Sequence, residues 1–430
     1  MVNIFNERFI QLRTNALIQI FISTTPALHL YGYGEIGLPP KKKNCYLADY
    51  SDILEYVKVF VGHIQTISKT NFVRKDPFED IPLSYFSPCR ESSEKVDETQ
   101  EIIILRDILT LLDSCPANNQ DYSRAAKCGI EIALFDLWGK LTKQPIYSLF
   151  GLFSPVSSND DSSYKRKGFY TAAMNSDISK TISVIKSEAA DSTNFLKIKI
   201  NDDYLFVSNL LRALNNDIPP TPGLRDWVLD ANAAWTPSIA ASFIDILMPY
   251  KDRIYMLEQP FPVDFLKNTI STEYDKDYLQ QWIDIKNLYF ERLGILLFAD
   301  ESVSTHEDVL ALEPYIHGCN IKLEKAGGFR GAVRAMHAAA SLGCKVWSGC
   351  MVGSVLNSSA AAHLLSLVSP DAGVDLDGSL LVTAASSLFK DGIKFHQNSG
   401  PQFGYMEWSD ETNNSFGIGC EALRSEPIIK

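Results

Sequence analysis

The chain has 430 residues, 46% hydrophobic and 21% charged, which supplies a full core and excludes a largely disordered protein. A formal net charge of −12 excludes the basic footprint that nucleic-acid binding needs and disfavours docking on an anionic membrane. No apolar run approaches the roughly 18–20 residues that span a bilayer, and the apolar stretch 16–23 lacks the flanks of a signal peptide.

In chain order, residues 17–22 and 28–33 alternate apolar and polar around a Ser-Thr-Thr-Pro turn, which predicts an antiparallel pair. Helical patterns follow at 48–66 and 100–114, separated by a polar stretch, 84–100, that reads as a solvated loop or insertion. Residues 122–142 are apolar at helical spacing, and a second polar insertion follows at 154–167. Eight cysteines without a CxxC pair read as free, mostly buried thiols in a reducing compartment, so a cytoplasmic location is expected. His306, His317 and His337 fall in helices or at helix ends and read as packing or surface residues.

From Gly168 onward one unit repeats: a short apolar run ends in a charged or small polar residue, and an amphipathic helix follows. Extra helix is expected at 265–293. Such alternation predicts a parallel sheet closed into a barrel; an open doubly wound sheet is the alternative, but no Gly-rich phosphate loop follows any strand. The run ends carry Lys197, Lys199, Asp230, Glu258, Asp300, Lys322, Asp375 and Asp377. Charges inside apolar runs are costly unless paired or metal-bound, and in a barrel they converge on one mouth.

Asp230, Glu258 and Asp300, from three successive units, form a hard oxygen set suited to Mg²⁺; a salt-bridge cluster is the alternative. Lys197 and Lys199 are two apart and share a face. Mutual repulsion and a nearby cation are expected to lower their pKa toward neutrality, leaving an amine that acts as a base. Lys322 comes from the other side of the barrel. Amines on both faces of a metal-held substrate suit removal of a proton from one face of a carbon and its return on the other.

The segments FLKIKI, VLDANAAW, MLEQP, FADES, NIKLEKAGG and CMVGS, with AAKCGIEIALFDLWGKL at 125–141, resemble the enolase superfamily. Within it the likeness is to the muconate lactonizing branch, and to dipeptide epimerases of the L-Ala-D/L-Glu epimerase type. It spans roughly residues 120–380. The resemblance implies a modified (β/α)₇β TIM-type barrel at 119–395 with an α+β capping domain at 1–118, the tail 396–430 returning to the cap. It implies one Mg²⁺ held by Asp230, Glu258 and Asp300, with Lys199 and Lys322 as the acid/base pair and Lys197 orienting substrate. Asn232 and Glu301 would support the metal ligands from behind.

The segment DLDG places Asp375 and Asp377 on one strand and one face, resembling the pair that receives a dipeptide's α-ammonium group. Thr171, Ser354 and Leu356, together with Lys197 and Lys322, match substrate contacts of the family. Relative to the family the region before Asn15 is short, Arg8 or Arg13 stands in for a loop arginine, and Asn357 replaces a frequent glutamate. The implied activity is epimerisation of a dipeptide α-carbon by two-base proton transfer through a metal-stabilised enolate. A cycloisomerase or o-succinylbenzoate-synthase-like lyase on the same scaffold is the runner-up, and a non-catalytic binding relic is the third reading. The partner is a small dipeptide, with no nucleic acid or membrane; a homo-oligomer is left open.

Overall fold

The computed structural model describes residues 2–4, 11–13, 15–25, 28–41, 48–67, 76–78, 99–116, 123–152, 166–172, 175–189, 195–220, 225–266, 276–382, 388–395, 405–408 and 416–423. Arg8, Cys45, Cys89 and nearly all of the two polar insertions lie outside them, as does most of the tail.

Eight parallel strands form the barrel: Phe169–Ala172, Phe195–Lys199, Trp227–Asp230, Ile254–Glu258, Leu296–Ala299, Gly318–Lys322, Lys345–Gly349 and Val374–Asp375. They neighbour one another in chain order, and a parallel bridge between Gly168 and Val374 joins the last strand to the first. This closure rules out the open sheet. Apolar side chains alternate into the interior, where Phe169, Phe195 and Trp347 meet with ring centroids 4.4–6.0 Å apart. The N-terminal end is plugged by a buried pair, Arg253 donating to both carboxylate oxygens of Asp226 (3.1 and 2.8 Å) and lying over the Trp227 ring.

The capping part begins with the predicted hairpin, Ala16–Thr25 paired antiparallel with Leu28–Ile36. A short pair, Val2–Ile4 with Gln11–Arg13, precedes it. Helices Tyr50–Ile67 and Gln100–Asp113 pack on the long helix Ser123–Thr142. The hairpin lies so close to that helix that a Cβ on Gly32 or Gly34 would sit 2.1 or 2.0 Å from the carbonyl oxygen of Ala133 or Gly129. No side chain fits there. Asp136 on the same helix accepts from the backbone N–H of Tyr33 and of Ile418 (both 2.9 Å), joining hairpin, helix and C-terminal strands. Phe389, on the strand Phe389–Asp391 that pairs with Cys420–Ala422, packs edge-on against Tyr33. Among the described residues no helix is long and apolar enough to cross a membrane. The six described cysteines are free. His306 opens the helix His306–Leu312, His337 lies on Phe329–Ser341, and His317 accepts from the Leu297 N–H (3.0 Å).

An ion cluster, buried at Arg330 and Glu131 and reaching the exposed Asp113, joins cap and barrel. Arg330, on the barrel helix Phe329–Ser341, donates to Glu131 (Nε 3.0 Å, Nη2 2.8 Å) and Asp113 (Nη1 2.7 Å). Removing one partner of such a cluster leaves an uncompensated buried charge. Arg330→Ala is therefore expected to lower unfolding stability by about 3–5 kcal/mol, read by denaturant titration. A loss under 1 kcal/mol would contradict this assignment.

His363 is buried, its Nδ1 accepts from the Tyr147 N–H (3.3 Å), and burial pushes its pKa down to about 3. The unfolded chain takes up this proton near pH 6.5 while the native protein does not until about 3. Stability from this group is thus fully present above pH 6.5 and falls as pH drops toward 3, by up to about 1.4 kcal/mol per unit. His363→Gln should flatten the acid limb of the stability profile between pH 6 and pH 4. An unchanged slope would assign that limb to other groups.

Candidate active site

Counting around the barrel from Phe169–Ala172, the second strand carries Lys197 and Lys199 and the sixth carries Lys322. They are four strands apart in a ring of eight, and so face each other across the mouth. Asp230 and Glu258 end the third and fourth strands and are register partners; Asp300 follows the fifth. Asp375 ends the eighth strand, opposite Glu258. The carboxylate group thus lies between the two lysine strands, with the Asp375 side facing it.

The lysines hold these carboxylates directly. Lys197 Nζ is 2.5 Å from Glu258 Oε2, 2.9 Å from Asp375 Oδ2 and 3.4 Å from Asp230 Oδ2. Lys199 donates to Asp230 Oδ2 (3.1 Å) and Asn232 Oδ1 (2.9 Å), and its side chain is 37% exposed, open to a ligand. Lys322 donates to Asp300 Oδ2 (2.6 Å). The expected lowering of the Lys197 pKa is not what the protein's own groups produce. Burial alone would lower it, but Asp375, Glu258 and Asp230 outweigh burial and hold the ammonium well above its ordinary value. In Lys322, too, burial is outweighed, chiefly by Asp300, and the pKa is raised. The partners of Lys197 are carboxylates on other strands, not Lys199.

The three carboxylates are buried, and their charge is in conflict. Burial pushes Glu258 up to about 7, Lys197 pulling against this and Asp230, Asp300 and Asp375 adding to it. Although close to Lys197, Glu258 Oε2 accepts no hydrogen bond from the described residues and is shielded from solvent. Burial would raise Asp300 as well, but Lys322 and then Lys325 outweigh it and hold the carboxyl well below its usual range. As they stand the carboxylates are drawn onto the lysines, and no three acidic, His or Cys side chains among the described residues converge on a single metal position. The donor set nevertheless fits a hard divalent cation. It is all oxygen, it comes from three adjacent strands, and the Lys197 ammonium, 2.5 Å from Glu258 Oε2 and 3.4 Å from Asp230 Oδ2, marks where positive charge is needed.

The backbone just beyond Asp230 and Glu258 is strained. Asn232, Ala233 and Gln259 have φ of 44°, 62° and 40°, left-handed values that non-glycine residues rarely adopt. Asn232 uses this turn to donate its N–H to Asp230 Oδ1 (2.9 Å) and its side-chain amide to Glu301 Oε1 (3.0 Å). Gln259 Oε1 accepts from the Asp300 N–H (2.9 Å), holding the backbone of that carboxylate. Asn232 thus links Asp230 to Glu301. Gln259, Asn320 and Lys325 bond to these carboxylates or their main chain and are not singled out in the sequence. Asn320 Nδ2 donates to Glu258 Oε1 (2.8 Å), and Lys325 donates to Asp300 Oδ1.

Asp375 and Asp377 do not share a strand. The strand ends at Asp375, Leu376 turns at φ −109° and ψ 23°, and Asp377 opens the 3₁₀ turn Asp377–Ser379. Both carboxylates still converge on Thr171: its N–H donates to Asp377 Oδ2 (2.6 Å) and its hydroxyl reaches Asp375 Oδ1 at 3.5 Å. Burial, reinforced by Asp375, pushes Asp377 up to about 7.

Ser354 and Leu356 are not brought onto this cluster. Ser354 is buried as the N-cap of helix Val355–Ala362, accepts from the Leu356 N–H (3.2 Å) and donates its hydroxyl to Glu35 of the hairpin. Leu356 is buried beside it. Of the two arginines, Arg8 lies outside the described residues and Arg13 is on the strand Gln11–Arg13.

Residues 186–398 match the family described as enolase C-terminal domain-like. A Dictyostelium discoideum protein named only as an enolase superfamily member is 39% identical over 421 residues, covering 95% of this chain and 90% of its own length. The chain belongs to the enolase superfamily. Among its relatives in that superfamily are dipeptide epimerases. An L-Ala-D/L-Glu epimerase of Bacteroides thetaiotaomicron is 27% identical over 354 residues, covering 82% of this chain and 71% of that one. A solved muconate lactonizing enzyme superposes with a TM-score of 0.67 at 17% identity, covering 98% and 95% of the two chains, and shares the fold of barrel and cap.

Proposed function

We propose that the protein is a Mg²⁺-dependent epimerase acting on the α-carbon of the C-terminal residue of a dipeptide. The observation that carries this is the placement of Lys199 and Lys322 four strands apart, flanking three buried carboxylates, with a second carboxylate pair across the mouth. A zwitterionic dipeptide matches this charge layout, its terminal carboxylate toward Asp230, Glu258 and Asp300 and its α-ammonium toward Asp375 and Asp377.

When bound by Asp230, Glu258 and Asp300, Mg²⁺ would supply positive charge against the substrate carboxylate as the α-proton leaves. One lysine takes that proton from one face, and the other delivers a proton to the opposite face. Lys197, bonded to Asp375 and close to Asp230 and Glu258, spaces the two charge regions and keeps the substrate in line. Asn232 fixes the reach of Lys199 through its Oδ1. Thr171 orients the ammonium-binding pair. The 27% identical Bacteroides L-Ala-D/L-Glu epimerase supports the substrate class.

Chelation tests the metal assignment. EDTA should abolish epimerisation, and Mg²⁺ or Mn²⁺ should restore it. Full turnover in a rigorously metal-free preparation would contradict the reading. Free L,L-dipeptides should epimerise and N-acetyl dipeptides should be poor substrates; equal turnover of both would reject the carboxylate pair as an ammonium site.

A further inference from the structure

We propose that Lys325 is a positioning residue that fixes Asp300 for the metal and thereby frees Lys322 to work on the substrate. This rests on the Mg²⁺ reading above. Two buried ammonium groups touch the one Asp300 carboxylate: Lys322 on Oδ2 and Lys325 on Oδ1. Their surroundings differ. An ammonium has three N–H donors, and Lys325 places all three, on Asp300 Oδ1, on the Asp300 main-chain oxygen and on the Asn320 main-chain oxygen (3.2 Å). Among the described residues, Lys322 makes one hydrogen bond, to Asp300 Oδ2. Lys325 is saturated and fixed, whereas Lys322 has donors left for another group.

The backbone holds Lys325 in place. It sits in the single turn Leu323–Ala326, closed by Gly327 and Gly328 at φ 77° and 117°. A Cβ on Gly328 would lie 2.7 Å from the Glu131 carboxylate, so the turn is seated against the helix Ser123–Thr142. Asn320 extends the brace. Its carbonyl accepts from Lys325 while its side chain donates to Glu258 Oε1, so one strand ties two of the three carboxylates together. Lys322 competes with a cation for Oδ2; Lys325 does not, because it holds the other oxygen and the main chain.

Calorimetric titration of Mg²⁺ and Mn²⁺ into wild type, Lys322→Met and Lys325→Met separates positioning from charge. Charge alone predicts that loss of either lysine tightens metal binding alike. The brace predicts that Lys325→Met weakens it about 10- to 100-fold, while Lys322→Met does not weaken it. Unchanged or tighter binding in Lys325→Met overturns the proposal. Wild type that binds neither cation removes the metal reading, and the brace with it. Lysine acetylation of the wild type, read by mass spectrometry, applies even where Lys325→Met does not fold. Mg²⁺ should raise labelling of Lys322 and leave Lys325 protected; labelling of both at similar rates overturns the proposal.

Discussion

Lys199→Ala is expected to abolish net epimerisation in both directions while leaving solvent exchange of the α-proton in one stereoisomer. The two lysines leave the second and sixth strands of an eight-stranded ring, so each addresses one face of a carbon held between them. With Lys199 gone, Lys322 still removes and returns a proton on its own face, and the configuration is kept. Lys322→Ala should show the mirror behaviour with the other stereoisomer. Loss of a general acid–base group lowers the rate about 10²- to 10⁴-fold, and loss of Lys199 or Lys322 should reach the upper part of that range. The measurement is α-deuterium incorporation by NMR for L,L- and L,D-dipeptides with each variant. Normal epimerisation by Lys322→Ala would end the two-base mechanism and favour a one-base reaction on the same scaffold.

Asp377→Asn should produce the largest effect on substrate affinity. Asp375 has Lys197 on one oxygen and the Thr171 hydroxyl on the other, whereas Asp377 receives the Thr171 N–H on Oδ2. Asp377 therefore has more capacity for a substrate ammonium. A hydrogen bond to a charged group contributes about 1.5–3 kcal/mol, so KM for free dipeptides should rise about 10- to 150-fold. Asp375→Asn should also raise KM, and should lower kcat more, because it releases Lys197 from its anchor. If Asp377→Asn leaves KM for free dipeptides unchanged, the ammonium is bound elsewhere.

Much of this arrangement is legible in the sequence because barrel strands announce themselves. A lone charge closing an apolar run is costly anywhere except at a strand end that opens on a polar mouth. Lys199, Asp230, Glu258 and Lys322 all close strands where that pattern puts them. The hairpin is equally plain, since alternation and a turn suffice to define it. What fails is what depends on register and on distant partners. The spacing of Asp375 and Asp377 suggests a strand, but Leu376 leaves the extended region and the second carboxylate arrives from a 3₁₀ turn. Proximity in sequence pairs Lys197 with Lys199, whereas the groups that decide its pKa are Asp375, Glu258 and Asp230. The pairing of Ser354 with Glu35, 319 residues away, leaves no local trace. Asn320 and Lys325 had a signal. Asn320 shares the inward face of its strand with Lys322, and Lys325 is a buried charge beside the small residues Ala326, Gly327 and Gly328, which let the chain pack closely around it.

The central claim is that this mouth removes and returns the α-proton of a dipeptide. Its most direct test is a library of L,L-dipeptides incubated with the wild-type protein and Mg²⁺ in D₂O, followed by mass spectrometry. Uptake of one deuterium at the C-terminal residue's α-carbon is expected in a subset of dipeptides, accompanied by the L,D-epimer. No deuterium uptake in any free dipeptide, from protein shown to bind Mg²⁺, would contradict it.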